Sequence, residues 1–388
     1  MSSQLLGALL TSRTSVSTRS PSEWNKLVAT AVRERVAAAL ARAVKDDDNV
    51  PTTARRELER ELYNTGACNI LLYRELARVL EANKTNRATT APIVLKGGAL
   101  ASTLYDDIAL RPMSDLDLLI RKPELPAWKD CLVRLGYRPV SPEMAKGLAE
   151  AVHYQLAYRG GLDGDVVIEL HWNLVAGDFD WRAPDIDWFW QQTEPWPGIE
   201  DLACPAALQL TPLANVLYLS AHAMLQHGGA RTRLVWLYDI HQLVERSADA
   251  IHWQDVIDKA REFQWDAAVA RALERCHEFF ETAVPETVVC ELSQGATPEA
   301  EAHVHRKAEI EVSRAEFVWR EFLCLDTTAR LRLLLAILFP APVYMKWRYP
   351  NAGALWPLAY VYRWGVVARE GTAYALRVLT TALFFVPL

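Results

Sequence analysis

Paired cysteines are missing from this sequence. Its six, Cys68, Cys131, Cys204, Cys276, Cys290 and Cys324, are scattered with no C-x-x-C spacing. That excludes a disulfide framework and a cysteine zinc site, and predicts reduced, mostly buried thiols in a cytoplasmic protein. A basic excess is missing too. Lys and Arg number 42 against 48 Asp and Glu, a net charge of −6, so the chain is not built to coat nucleic-acid backbones, although a local basic groove stays open. No internal repeat and no low-complexity tract is present. Residues 5–10 are apolar, but no basic residue precedes them and a Ser/Thr-rich stretch follows, so nothing reads as a signal peptide. Long hydrophobic runs are also lacking. Residues 333–345 are uncharged but broken by Pro340 and Pro342, and residues 378–388 are shorter still. Both segments read as buried helices, with a membrane-surface or partner-binding face as the alternative.

What remains is an ordinary globular composition, 51% hydrophobic and 23% charged, long enough for two or three domains. Trp24, Leu27, Val28, Val32, Val36, Leu40 and Val44 recur at helical spacing. The acidic breaker at residues 46–51 reads as a solvated loop, and a long helix follows over about 53–81. Between residues 92 and 180 the pattern turns mixed. Residues 93–95 and 115–120 read as strands, residues 125–135 as a helix stopped by Gly136. Two further strands, 152–158 and 166–172, are joined by the turn residues Gly160, Gly161, Asp163 and Gly164. After Pro205 helical periodicity returns and persists. The expected fold class is therefore α+β, a small mixed-sheet core at 86–200 flanked by an N-terminal helical region at 1–85 and a larger C-terminal helical domain at 201–388.

Three pieces of the middle segment carry chemistry. Alternation along a strand puts Asp115 and Asp117 on one face, with Leu116 and Leu118 on the other. Two adjacent carboxylates repel, which makes little structural sense without a cation; magnesium suits them because it takes a few carboxylates plus water and phosphate. Lys96-Gly97-Gly98 stands at a strand-to-helix junction, where paired glycines let backbone approach a phosphate and a helix N-terminus offers free N–H groups. Glu169 sits inside the apolar run Val166-Val167-Ile168-Glu169-Leu170-His171, where an unpartnered carboxylate would cost several kcal/mol. Period two puts His171 on the face of Glu169.

In this order the pieces resemble the polymerase β-like nucleotidyltransferase superfamily, with its glycine motif, D-x-D strand and later third carboxylate. More narrowly, the chain resembles a family of uncharacterised bacterial nucleotidyltransferases. The resemblance rests on residues 95–100, Tyr105, 111–119, 135–137 and 169–172, and downstream on His222, residues 233–236 and Asp239. One departure is that Gly98 stands where the superfamily usually has Ser, so a hydroxyl contact to phosphate is absent. The resemblance implies a small nucleotidyltransferase core working by two-metal in-line displacement, with Mg²⁺ (or Mn²⁺) and a nucleoside triphosphate such as ATP. Asp115, Asp117 and Glu169 are then the catalytic and metal-holding residues. Lys96, Gly97, Gly98, Arg111 and His171 are the nucleotide-binding candidates. Arg111 reads equally as a structural partner of the Asp pair, and His171 as a structural histidine.

Elsewhere the plainer readings lead. His222, Arg233 and Asp239 read as a polar network bracing the helical domain, His303 and His305 as part of a charged segment. Trp188 and Trp190 read as packing residues, and Asp185-x-Asp187 as loop. The acceptor is open, with a small molecule, peptide or protein favoured over nucleic acid. Two other function classes stand beside the enzyme: a catalytically silent nucleotide-binding regulatory protein, and a membrane-surface assembly subunit, peripheral through the C-terminal helices.

Overall fold

The computed structural model of the chain describes residues 2–13, 20–84, 89–162, 164–176, 183–199, 202, 206–227, 232–297, 300–301, 304, 319, 322–323 and 325–384. Four helices come first: α1 (Ser2–Leu10), α2 (Pro21–Arg33), α3 (Ala37–Ala43) and α4 (Thr52–Lys84). The start of α2 follows from local chemistry. Ser20 Oγ accepts from Glu23 N–H, the Glu23 carboxylate accepts from Ser20 N–H, and Pro21 presets the first turn.

The middle of the chain contributes β1 (Ile93–Leu95), α5 (Lys96–Thr103), β2 (Leu116–Leu119), α6 (Leu125–Arg134), β3 (Arg138–Pro139), α7 (Leu148–Val152), β4 (Gln155–Gly160), β5 (Val166–His171), α8 (Ile186–Gln191), β6 (Thr193–Pro195) and β7 (Leu208–Leu210). These strands form one mixed sheet of seven in the order β3-β4-β5-β2-β1-β7-β6. Strand β2 runs parallel to β5 and antiparallel to β1, and β7 runs parallel to β1. Helices return with α9 (Pro212–Ala221), a π-helical turn over His222–His227, α10 (Leu234–Arg246), α11 (Trp253–Glu262), α12 (Asp266–Phe280) and α13 (Glu286–Gly295). The last three are α14 (Thr327–Leu338), α15 (Pro342–Arg348) and α16 (Ala359–Phe384). The fold is α+β with a helical C-terminal region, as the sequence predicts.

Both faces of the sheet are covered. Leu116 and Leu118 of β2 and Ile168 and Leu170 of β5 pack with Tyr73, Leu76 and Val79 of α4 and with Trp128 and Leu132 of α6. On the opposite face, Ile93, Leu95 and Leu119 join a larger core that includes Trp24 of α2, Leu217 of α9, Leu237 of α10 and Trp265. At roughly 1.5–3 kcal/mol per fully buried large side chain, this core fixes the helical layer over the carboxylate-bearing face of the sheet.

Several expectations need correction. Strand β4 begins at Gln155 rather than 152, because residues 148–152 instead form α7, whose Leu148 packs on Leu333 and Ala336 of α14. Residues 208–210, read as helix, are a strand pairing with Ile93, and the helix starts only at Pro212, where a proline suits a first turn. The sheet thus draws a strand from beyond residue 200. Asp185-x-Asp187 is a helix cap rather than a loop, the Asp185 carboxylate accepting from Asp187 N–H at 3.0 Å. Of the four cysteines described, Cys131 and Cys276 are buried but Cys68 and Cys290 are exposed, since they fall on outward faces of α4 and α13. His303, His305 and Asp163 lie outside the described residues. Trp188 packs against Phe189 and Phe263, and Trp190 lies under the Arg121 guanidinium, so both are packing residues. Finally, the helices over residues 333–345 are not fully buried, and the side chains of residues 378–388 lie outside the described residues. One side of α14 to α16 packs on α7 and Met144, while the other keeps its large apolar side chains exposed, because no described element covers it.

Candidate active site

The β2–β5 register decides where the carboxylates meet. Asp117 lies opposite Glu169, and Leu119 opposite His171. With Leu116, Leu118, Ile168 and Leu170 committed to the α4–α6 side, alternation sends Asp117, Glu169 and His171 to the other face. Their ligand atoms gather within 4.8 Å of one another. His171 Nε2 lies 2.8 Å from Asp117 Oδ1 and 3.4 Å from Glu169 Oε2. Carboxylates only accept, so Nε2 carries a proton there, and Nδ1 is buried without a hydrogen-bond partner. Gln155 of β4 donates to Glu169 Oε2 at 2.7 Å and fixes that carboxylate.

Lys96 closes the cluster. It is the first residue after β1 and takes φ +45°, the left-handed region that L side chains avoid, and its Nζ reaches Asp117 Oδ1 at 2.9 Å. Backbone strain of about 1–3 kcal/mol is thus kept at a half-buried charged residue that pairs with Asp117. Burial alone would lower the Lys96 pKa, but Asp117, Tyr218 and Glu169 outweigh it and hold the ammonium charged. For Asp117, burial would raise the pKa; Lys96 and His171 reverse this and keep the carboxylate well below its ordinary range. Asp115 goes the other way, raised first by burial and then by the charges of Asp117 and Glu169. It sits one residue before β2, half-buried, with Ser114 Oγ donating to Oδ1 at 3.3 Å, and stands outside the tight Asp117–Glu169–His171 group.

Asp117 and Glu169 offer carboxylate oxygens to a hard divalent cation, with Asp115 beside them and His171 Nε2–H bonded to Asp117 rather than free as a ligand. Oxygen ligands of this kind suit Mg²⁺ or Mn²⁺. The geometry fits such an ion at Asp117 and Glu169, with Asp115 close enough to raise its own pKa through them.

The other sequence candidates fall into two places. Gly97 and Gly98 start α5 beside the cluster, and no side chain caps that first turn. Packing also demands these glycines. A Cβ on Gly97 would meet Arg111 Nη1 at 2.5 Å, and one on Gly98 would meet Val94 at 2.9 Å. Arg111 itself is buried against Asp239 of α10, with Nη2–Oδ2 at 2.6 Å and Nε–Oδ1 at 3.2 Å, while Tyr105 donates its hydroxyl to the same carboxylate at 2.7 Å. Arg111 therefore ties the segment leading into β2 to the helical layer, and its partner is Asp239 rather than the Asp115–Asp117 pair. The bracing role read for Asp239 stands, but its partners come from the middle of the chain and not from His222 or Arg233.

Sequence reasoning missed several residues around the cluster. Arg35, at the turn after α2, donates from Nη1 to Ser114 Oγ at 3.2 Å, next to Asp115. The preceding Glu34 holds the start of α10, accepting from Leu234 N–H at its carboxylate and from Val235 N–H at its carbonyl, which brings Arg233 beside Arg35. Burial, then Arg233 and Arg111, depress the Arg35 pKa, the signature of positive charges crowded together. Opposite them, the π-helical turn lays His222 against Gln226, and Gln226 in turn donates to Tyr154 Oη at 2.7 Å. Burial and the Lys96 charge keep His222 neutral, its pKa far below normal. Tyr154, pushed up to about 12 chiefly by burial, and the buried Tyr218 wall the cluster from water. His222 and Arg233 were read only as part of a brace within the helical domain, and nothing local marked Arg35, Gln226, Tyr154 or Tyr218 as neighbours of the cluster.

A family described as an uncharacterised nucleotidyltransferase matches residues 20–281, more than half of the chain. No curated protein matches it.

Proposed function

The chain belongs to that nucleotidyltransferase family, and on this premise we propose that it moves a nucleoside monophosphate from a nucleoside triphosphate to an acceptor hydroxyl. The observation that carries the reading is the register of Asp117 with Glu169, which converges two carboxylates beside Asp115, Lys96 and the uncapped start of α5. Asp115, Asp117 and Glu169 would hold magnesium or manganese, which when bound neutralises triphosphate charge and lowers the pKa of the acceptor hydroxyl. The acceptor oxygen attacks the α-phosphorus, pyrophosphate leaves with the electrons of the broken P–O bond, and the hydroxyl proton is released.

The protein's own groups do the positioning. Gln155 fixes Glu169, and Lys96 holds Asp117 in its ionised form. Arg35 and Arg233 supply fixed positive charge on the Asp115 side, where a triphosphate would need it. Tyr154, Tyr218 and His222 exclude water from the sheet side, so charges inside act at low dielectric.

One observation favours a second reading, a silent nucleotide-binding regulator. Lys96 and His171 both donate to Asp117 Oδ1, which neutralises that carboxylate without an ion. The experiment that separates the two is transfer of label from nucleoside triphosphates labelled at the α-phosphate, with Mg²⁺ or Mn²⁺. Wild type is compared with Asp115→Ala/Asp117→Ala and with Glu169→Ala, and with host lysate and the protein itself as acceptors. Label reaching an acceptor in wild type and in neither variant supports the enzyme. Tight metal-dependent binding of triphosphate without transfer supports the regulator. Loss of both in folded wild type sinks the nucleotide assignment.

A further inference from the structure

The segment after the family match has a composition of its own. Between Asp326 and Glu370 there is no Asp or Glu, while six basic residues occur, Arg330, Arg332, Lys346, Arg348, Arg363 and Arg369, in a chain whose net charge is −6. Twelve of the twenty large hydrophobic side chains exposed among the described residues lie between positions 331 and 364. Leu355 is 66% exposed, Val343 65% and Val361 63%, with Phe339 and Leu358 nearly as open. So dense a cluster on one module is not the scattered exposure that any soluble surface shows.

The inner side of the module is tied down. Ala341 N–H donates to Met144 O at 2.7 Å, Arg332 reaches Lys146 O at 3.2 Å, and Leu333 and Ala336 pack on Leu148. The outer apolar face is therefore held in place, not left loose. Helices α14 and α15 bend by 54° where Pro340 and Pro342 interrupt them. Three carbonyls at that bend find donors on α16: Arg363 Nε bonds Ile337 O at 2.9 Å, Trp364 Nε1 bonds Leu338 O at 2.7 Å, and Tyr360 Oη bonds Pro340 O at 2.5 Å. Water could have satisfied these groups at an aqueous surface. Internal satisfaction is what backbone needs where water is scarce.

We propose that this face seats the protein on an anionic membrane surface, with its apolar side chains in the headgroup–acyl boundary and Lys346 and Arg348 at the headgroups. Trp347, Trp356 and Trp364 stand among them, the residue type that favours that boundary. No single helix among the described residues is long and apolar enough to cross a membrane. The α14–α15 pair that together has the length and composition is bent by 54° and tied to Met144 and Leu148, which favours a seat on the surface. A second copy of the chain is the weaker occupant. A symmetric pair would press the same acid-free basic face against itself, whereas anionic lipid offers both the apolar layer and the opposite charge. The inference is independent of the nucleotide chemistry.

The test is co-sedimentation of the full chain with phosphatidylcholine vesicles, with and without phosphatidylserine. The chain is expected to sediment with the phosphatidylserine vesicles. Val343→Glu/Leu355→Glu/Val361→Glu lowers that partition by at least about tenfold, and Lys346→Ser/Arg348→Ser lowers it roughly fivefold per residue at low salt. These side chains are exposed, so circular dichroism and the melting temperature stay at wild-type values. The proposal is overturned if wild type stays in the supernatant with both vesicles, or enters both equally. It is overturned too if wild type is an oligomer that the triple variant dissolves to monomer while neither binds lipid.

Discussion

Replacing Asp239 by Asn tests the link between the sheet and the helical layer. The Asp239 carboxylate is fully buried and takes two hydrogen bonds from the Arg111 guanidinium and one from the Tyr105 hydroxyl. Burial alone would lower the Arg111 pKa, and Asp239 is the group that outweighs it and raises that pKa. A carboxamide keeps the shape but removes the charge, leaving a buried guanidinium uncompensated. Breaking a buried pair costs about 3–5 kcal/mol, and the amide oxygen still accepts one bond, so the expected loss is about 3 kcal/mol. With a urea m-value of about 3 kcal/mol/M for a chain of this size, the unfolding midpoint falls by about 1 M, read by tryptophan fluorescence. Arg111→Met/Asp239→Leu removes both charges and should lose no more than about 2 kcal/mol, mostly the unsatisfied Tyr105 hydroxyl. An Asn variant within about 0.5 kcal/mol of wild type, or a double variant as unstable as the single, refutes the reasoning. The same variant bears on function: an Arg111 that served phosphate would be freed by Asp239→Asn and would lower the KM for nucleotide.

Three further outcomes are expected. Gly97→Ala drives a methyl to 2.5 Å from Arg111 Nη1 and 2.9 Å from Met113 Cγ, and because Asp239 locks Arg111 it should destabilise by about 1–3 kcal/mol; an unchanged melting temperature would count against this. Glu75, held by Arg78, Tyr137 and Leu162 N–H, has its pKa lowered even though burial alone would raise it, so its contribution is present at neutral pH. That contribution is lost as pH falls below the ordinary glutamate range and through the depressed folded pKa. Glu75→Gln should therefore cost about 2 kcal/mol at neutral pH and converge with wild type in acid; a gap independent of pH would sink the assignment. Arg35→Ala should raise the KM for triphosphate about tenfold with kcat little changed, in label-transfer kinetics; an unchanged KM would remove Arg35 from the site.

The carboxylates were legible in the sequence because their cause is local. Alternation along a strand places Asp115, Asp117, Glu169 and His171 relative to their apolar neighbours, and the neighbours declare which side is core. The long helix α4 was legible for the same reason, from its periodicity. The Gly97-Gly98 pair was visible but ambiguous. Its packing cause, Arg111 and Val94 where side chains would stand, appears only once the fold closes. Strand β7 was misread because three residues are too few to show a period, and its partner β1 lies more than a hundred residues away.

By itself the sequence determined the kind of chemistry this protein can hold: the carboxylates, the strands that carry them and the glycine turn beside them. Tertiary structure alone decided that Asp117 faces Glu169, that Arg111 answers to Asp239 across 128 residues, that Arg35 meets Ser114, and that the C-terminal apolar face stays open. Local patterns fix which way a side chain points from its own backbone. Which charge it finally meets depends on how distant elements pack, and burial then makes that meeting worth several kcal/mol.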